Sequence, residues 1–199
     1  MSNTTQSNLL MTTDLDVENV DFGSLNKYTY NIGGASKEAK SVPLIYRNDG
    51  VRMRKFMVCV RNCVIKKVHT PKTQNDGYSL FVSCEDAEFV NFVSSLEEKL
   101  PAVVEENSAD WYDEEYTLEE CQSLFGSMLI TNDMGVSFSS PCDRRGFKYE
   151  FIVDSPEPYD ETTPLEDVLK KNYRADILIE LRHIGLGIQN YKIKSYIHK

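Results

Sequence analysis

The chain predicts an α+β fold: a five-stranded barrel of Greek-key order, or another α+β sandwich, carrying a helical insertion and ending in a β-hairpin. Three observations predict it. Apolar residues alternate with period two from Val51 to Val68, around Phe56, Val58 and Val60, with the β-branched and aromatic enrichment of strands. The period changes to helical spacing at Phe89, Val93, Leu96 and Leu100. Period two then returns, most clearly at the end, where Tyr191, Ile193, Ser195 and Ile197 alternate with Lys192, Lys194, Tyr196 and His198.

Residues 1–19 are rich in Ser, Thr and Asn and read as a flexible start, with a single domain over 20–199. Lys27 to Ile32 and Val42 to Tyr46 read as short strands, with Gly33-Gly34 turning the chain between them. His69 to Gly77 is a loop, and Tyr78 to Ser83 is the strand returning beside 51–68. The insertion spans about 86–130. Its first helix starts after Ser83 or Asp86 and stops at Pro101, which cannot donate to the preceding turn. Its second begins at the capping box Thr117-Leu118-Glu119-Glu120. Strands resume at Val136–Ser139 and Lys148–Val153. Thr163-Pro164-Leu165-Glu166 opens a short helix to about Asn172, and Gly185 and Gly187 turn the last hairpin.

Charge is sorted along the chain. The net charge of −9 hides a stretch from Leu100 to Asp143 with ten carboxylates and no Lys or Arg. Lys37 to Lys72 carries a net +8, and Lys170 to Lys199 a net +5. No apolar run reaches the ~20 residues a membrane helix needs, and the polar start lacks the basic and apolar regions of a secretory signal. An intracellular protein is expected. Five cysteines without a close Cys-x-x-Cys, and three scattered histidines, give no zinc spacing and read as free thiols.

Two constellations could carry chemistry. Arg47, Arg52, Arg54, Lys55, Arg61 and Lys66 share a segment with Tyr46 and Phe56, and Lys192, Lys194 and Tyr196 share a face of the last strand. Cations that track phosphates beside rings that stack bases suit a single-stranded nucleic acid; the same residues would also serve as the solvated face of a half-buried sheet. The acidic segment is the second. Its carboxylate pairs diverge and lack a companion histidine, so they read as a solvated face or as a mimic of polyanion, with Trp111, Tyr112 and Tyr116 as anchors into the core or into a partner. Asp176, Glu180 and Arg182 alternate on one strand in loose likeness to a metal-dependent nuclease, but a lysine is usual at the third position. No P-loop, G-x-S-x-G, H-E-x-x-H or dinucleotide fingerprint is present. A non-enzyme without cofactor or metal is expected.

The order of elements resembles that of the OB-fold single-stranded DNA-binding proteins of large DNA viruses, and more distantly of certain tailed phages. The residues behind the resemblance are Val42-Pro43-Leu44-Ile45-Tyr46-Arg47 and Met53-Arg54, the helix Ala87–Leu100, Trp111, the helix at Thr117, Thr163-Pro164-Leu165-Glu166, Ile177-Leu178-Ile179-Glu180-Leu181, Gly185-Leu186-Gly187 and Tyr191-Lys192-Ile193. It covers about Ser24 to the end. It implies an OB-type barrel, single-stranded DNA binding without catalysis, a role in viral DNA replication or recombination, and a host nuclear or viral replication compartment. The phage proteins end in an acidic tail, whereas this chain ends in Tyr196-Ile197-His198-Lys199. Contacts to replication proteins would then fall to the internal acidic segment; a homo-oligomer is compatible with the sequence. The expected phosphate contacts are Arg47, Arg52, Arg54, Lys55, Arg61, Lys66, Lys192 and Lys194, and the expected stacking rings Tyr46, Phe56 and Tyr196. The alternative is a non-enzymatic or virion-associated protein that recruits partners through the acidic helices.

Overall fold

Three long strands set the architecture. They are β4 (Ala35–Asn48), β6 (Met57–His69) and β10 (Tyr173–Leu186). The structure is a computed structural model and describes residues 9–32, 35–53, 55–70, 78–142, 173–187 and 190–198. The strand read over Lys148–Val153 and the helix from Thr163 lie outside the described residues, as does the Gly33-Gly34 turn. Along one edge, β10 pairs with β6 through Tyr173–Glu180 and with β4 through His183–Leu186; along the other it pairs with β11 (Tyr191–Ile197). β6 passes the pairing on to β7 (Ser79–Cys84), then β9 (Gly135–Pro141) and β8 (Leu129–Asn132). β4 holds β2 (Val20–Phe22), β3 (Asn26–Ile32) and β5 (Val51–Arg52). β1 (Leu9–Met11) lies parallel to β6, so residues 9–11, read as part of a flexible start, are docked, and Leu10 is buried.

The expected OB-type barrel is corrected here. Among the described residues the eleven strands form one sheet, and that sheet is not closed. β9 and β11 approach each other, but they share one isolated bridge, Cys142 to Ile197, and a 3.0 Å hydrogen bond between Ser140 Oγ and Ser195 Oγ. A ladder, which closure of a barrel requires, is missing between them. The resemblance to the OB-fold proteins falls with the barrel.

One face of the sheet is buried instead beneath a helix. α1 (Ala87–Tyr112) lays Phe89, Phe92, Val93, Leu96, Leu100 and Val104 against Val42, Val58, Val60, Val82, Ile179, Leu181 and Ile184. Asp86 caps it by accepting from the backbone N–H of Phe89, and the same carboxylate accepts from Thr12 Oγ1 and from the Arg61 N–H. The helix does not stop at Pro101. A proline inside a helix costs about 3 kcal/mol, but the buried stripe continues through Val104, Ser108 and Trp111, and that packing offsets the lost hydrogen bond.

At its end Asp113 adopts a left-handed conformation (φ 62°), and Lys40 Nζ donates to the Trp111 carbonyl and to Asp113 Oδ2. α2 (Leu118–Leu124) starts at the capping box read from Thr117 and Glu120, and Glu105 accepts from the Leu118 N–H. Several acidic residues of the insertion are thus structural. Glu97 is another: buried on α1, it accepts from Ser127 Oγ and the Met128 N–H and so fixes the approach to β8. All five cysteines are free thiols, four of them buried. No described helix is long and apolar enough to cross a membrane.

Candidate nucleic-acid interface

The outer face of β10 collects the charge. Leu181 and Ile184 both point into the core, so the register shift between Leu181 and His183 places Arg182 and His183 together on the opposite side. β11 brings Tyr196 opposite Glu180, Lys194 opposite His183 and Lys192 opposite Gly185. β3 brings Tyr28 opposite Ala39 of β4. Together they border a groove of about 400 Å³, lined by Tyr28, Lys40, His183, Lys192, Lys194 and Tyr196 among others.

Groups in the groove perturb one another. Partial burial, then the neighbouring charge of Lys192, holds Lys194 below the ordinary lysine range. Burial, followed by the charges of Arg182 and Lys194, pushes His183 down to about 4. Its imidazole is therefore neutral at physiological pH, and the positive charge of the groove comes from lysines. Gly185 lets Lys194 lie across β10: a Cβ there would stand 2.8 Å from Lys194 Cε and 3.1 Å from Cγ. A Gly185→Ala variant should keep its fold to within about 0.5 kcal/mol, since only a flexible side chain must move. It should bind oligonucleotide a few-fold more weakly by the titration described below; unchanged affinity would show that the seat of Lys194 does not matter.

A smaller cavity of about 190 Å³ lies farther along the same face. Arg52, Lys55, Glu180 and Arg182 border it above Leu44, Phe56 and Leu181. It opens where β4 turns away from β10 after the Pro43–His183 pair and β6 takes its place. Arg182 connects the two cavities. Its guanidinium sits 3.9 Å from the Tyr196 ring centroid and donates to Glu180 Oε2 at 2.6 Å. Glu180 is 6 % exposed, and His198 Nε2 lies 2.7 Å from the same oxygen.

The expected site residues divide. Lys192, Lys194 and Tyr196 line the larger groove, and Arg52 and Lys55 the smaller. Arg47 stands opposite Arg52 across the β4–β5 hairpin, whose Asp49-Gly50 turn has φ of 49° and 76°, and it pairs with Asp21. Arg54 lies outside the described residues. Arg61 and Lys66 are exposed and half-buried along β6, beside the Tyr173–Ile177 end of β10. At ~3.3 Å per residue, even Ile177 is roughly 20 Å along the strand from His183. Tyr46 and Phe56 are corrected: they are core rings, 1 % and 3 % exposed, stacked with centroids 4.7 Å apart. Tyr46 Oη donates to the Asp14 carbonyl and accepts from the Asp16 N–H. Neither ring has a face free for a base.

Sequence reasoning missed Tyr28, Tyr30 and His183, and read Arg182 only as part of the nuclease-like pattern. Tyr28 and Tyr30 are 49 % and 39 % exposed, with ring centroids 6.4 Å apart. Their i, i+2 spacing in a predicted strand was the available signal. The nuclease constellation is not assembled. Asp176 accepts from the Asn62 N–H, and Glu180 is engaged by Arg182 and His198. No group of three or more potential metal ligands occurs among the described residues. From the acidic insertion, Asp113 reaches the basic surface by pairing with Lys27 and Lys40. Comparison with known proteins returns no family model, no curated protein and no solved structure that matches the chain.

Proposed function

We propose that the outer face of β3, β4, β10 and β11 binds single-stranded DNA. The observation that carries this reading is the groove itself, in which Lys192 and Lys194 border a channel between the rings of Tyr28 and Tyr196. Flexible ammonium groups meet phosphates without reading sequence, and tyrosine faces accept any base. Neutral His183 lies beside the lysine pair, and Tyr30 extends the aromatic surface along β3. The roles in replication or recombination, and the viral or nuclear compartment, rested on the OB-fold resemblance and are not part of this proposal.

Titration of a fluorescent oligonucleotide at low and moderate salt tests it. Affinity should fall steeply with salt, and Lys192→Ala with Lys194→Ala should reduce the slope of log K against log salt by ~0.7 per lysine. Tyr28→Ala should cost about 1–3 kcal/mol of binding, as loss of a stacking ring does. Absence of binding by the unmodified protein at low salt overturns the proposal.

A further inference from the structure

We infer that the smaller cavity, bordered by Arg52, Lys55 and Arg182, is a receptor for a phosphate near its dianionic state, either the end group of a monoester or the free ion. Its volume of about 190 Å³ is below the ~300 Å³ at which small-molecule pockets begin, so it suits a compact anion rather than a whole nucleoside. Its charge fits the same ligand. Arg182 and Glu180 neutralise each other at 2.6 Å. Arg52 and Lys55 have no ion-pair partner among the described residues, so they supply two uncompensated positive charges. A monoester carries about −1.5 to −2 near neutral pH, whereas each linking phosphate within a strand carries a single charge.

The walls favour the ion further. Phe56, Leu44 and Leu181 form an apolar floor, against which charge-assisted hydrogen bonds are stronger than in water. Arg52 offers the planar donor fork that matches two phosphate oxygens, and Lys55 a mobile point charge. Burial of Glu180 beneath Arg182 and His198 keeps its carboxylate engaged with those two partners while the cavity remains cationic.

Two sources share this chemistry. One is a phosphorylated end of a single strand lying in the larger groove, which Arg182 and Tyr196 join to the cavity. The other is free phosphate. Only the first rests on the proposed DNA-binding function.

The test uses the full chain and three arms. Inorganic phosphate is titrated calorimetrically against the unmodified protein and against Arg52→Ala with Lys55→Ala. Both substituted side chains are exposed, and an unchanged melting temperature certifies the fold. Oligonucleotides of one sequence carrying a 5′-phosphate, a 3′-phosphate or neither are then compared. We expect phosphate to bind and the double variant to lose about tenfold or more in affinity, as removal of charged hydrogen-bond partners does. A phosphorylated end that binds more tightly than the hydroxyl end, with the difference abolished in the variant, assigns the strand end as source. Phosphate binding without that difference assigns the free anion. Phosphate binding with no oligonucleotide binding keeps the receptor and sinks the DNA proposal. No phosphate binding, or equal binding by the double variant, overturns the receptor.

Discussion

Replacing Phe56 by alanine should lower the stability of the fold by about 3–5 kcal/mol, the usual loss for a buried aromatic ring. For a chain of this size that corresponds to a fall in melting temperature of roughly 6–20 °C. The ring touches two layers at once. It stacks on Tyr46 at 4.7 Å and meets Phe92 of α1 edge-on at 5.8 Å. Tyr46 in turn holds the N-terminal segment through Asp14 and Asp16, so the cavity left behind would also loosen residues 9–16. Urea unfolding measures the loss. Affinity for an oligonucleotide with hydroxyl ends, scored per folded molecule at low temperature, should remain within about twofold, because Phe56 offers no face on which a base could stack. The opposite pattern, intact stability with lost affinity, would restore the stacking role that its sequence neighbours suggest.

Phe56 also shows where the sequence misleads. Flanked by Lys55 and by exposed arginines, it fits the composition of a polynucleotide surface equally well. Only the strand pairing decides its side, and the residue that meets it there is Leu181, 125 positions away, whose N–H donates to the Phe56 carbonyl. Local signals were legible. The capping box at Thr117, the hairpin return at Ser79 and the alternation of Tyr191–Ile197 all appear in place, because each depends on neighbours within a few residues. Helix α1 outran Pro101 because tertiary burial of Val104 and Trp111 outweighs a local breaker. β8 was missed because Leu129–Asn132 has three exposed residues in four and no apolar alternation. Closure of the sheet depends on the gap between β9 and β11, which no local pattern encodes. In the groove, Lys192, Lys194 and Tyr196 follow from alternation, whereas Arg182 and His183 share a face only because of a bulge.

Replacing Glu180 by alanine should also lower stability, by about 1–3 kcal/mol, because it removes a buried carboxylate that accepts from Arg182 and lies against His198. Arg182 donates to its carboxylate at 2.6 Å and His198 lies at 2.7 Å. The pH dependence gives the loss a signature. Burial pushes the Glu180 carboxyl up, but the hydrogen bonds from Arg182 and His198, and then their charges, hold it below the ordinary carboxylate range. Its folded value is therefore lower than its unfolded one. The stability it contributes is fully present above the unfolded value of ~4.3 and is lost as pH falls through the folded value. Glu97 has the opposite sign. Burial raises its carboxyl despite the hydrogen bonds from Ser127 and Met128. Its contribution is greatest below the unfolded value and declines as pH rises through the raised one.

Urea unfolding across the acidic range separates the two carboxylates. Glu180→Gln should lower stability at neutral pH and flatten the acid decline, whereas Glu97→Gln should steepen it. Among the described residues Glu180 carries the one carboxylate bordering the smaller cavity. Its neutralisation should therefore tighten oligonucleotide binding at moderate salt while it weakens the fold, the exchange expected when a buried charge network is retained beside a binding surface. Equal stability of Glu180→Gln and the unmodified protein from acid to neutral pH would show that the Arg182–Glu180–His198 contacts contribute nothing to the folded state.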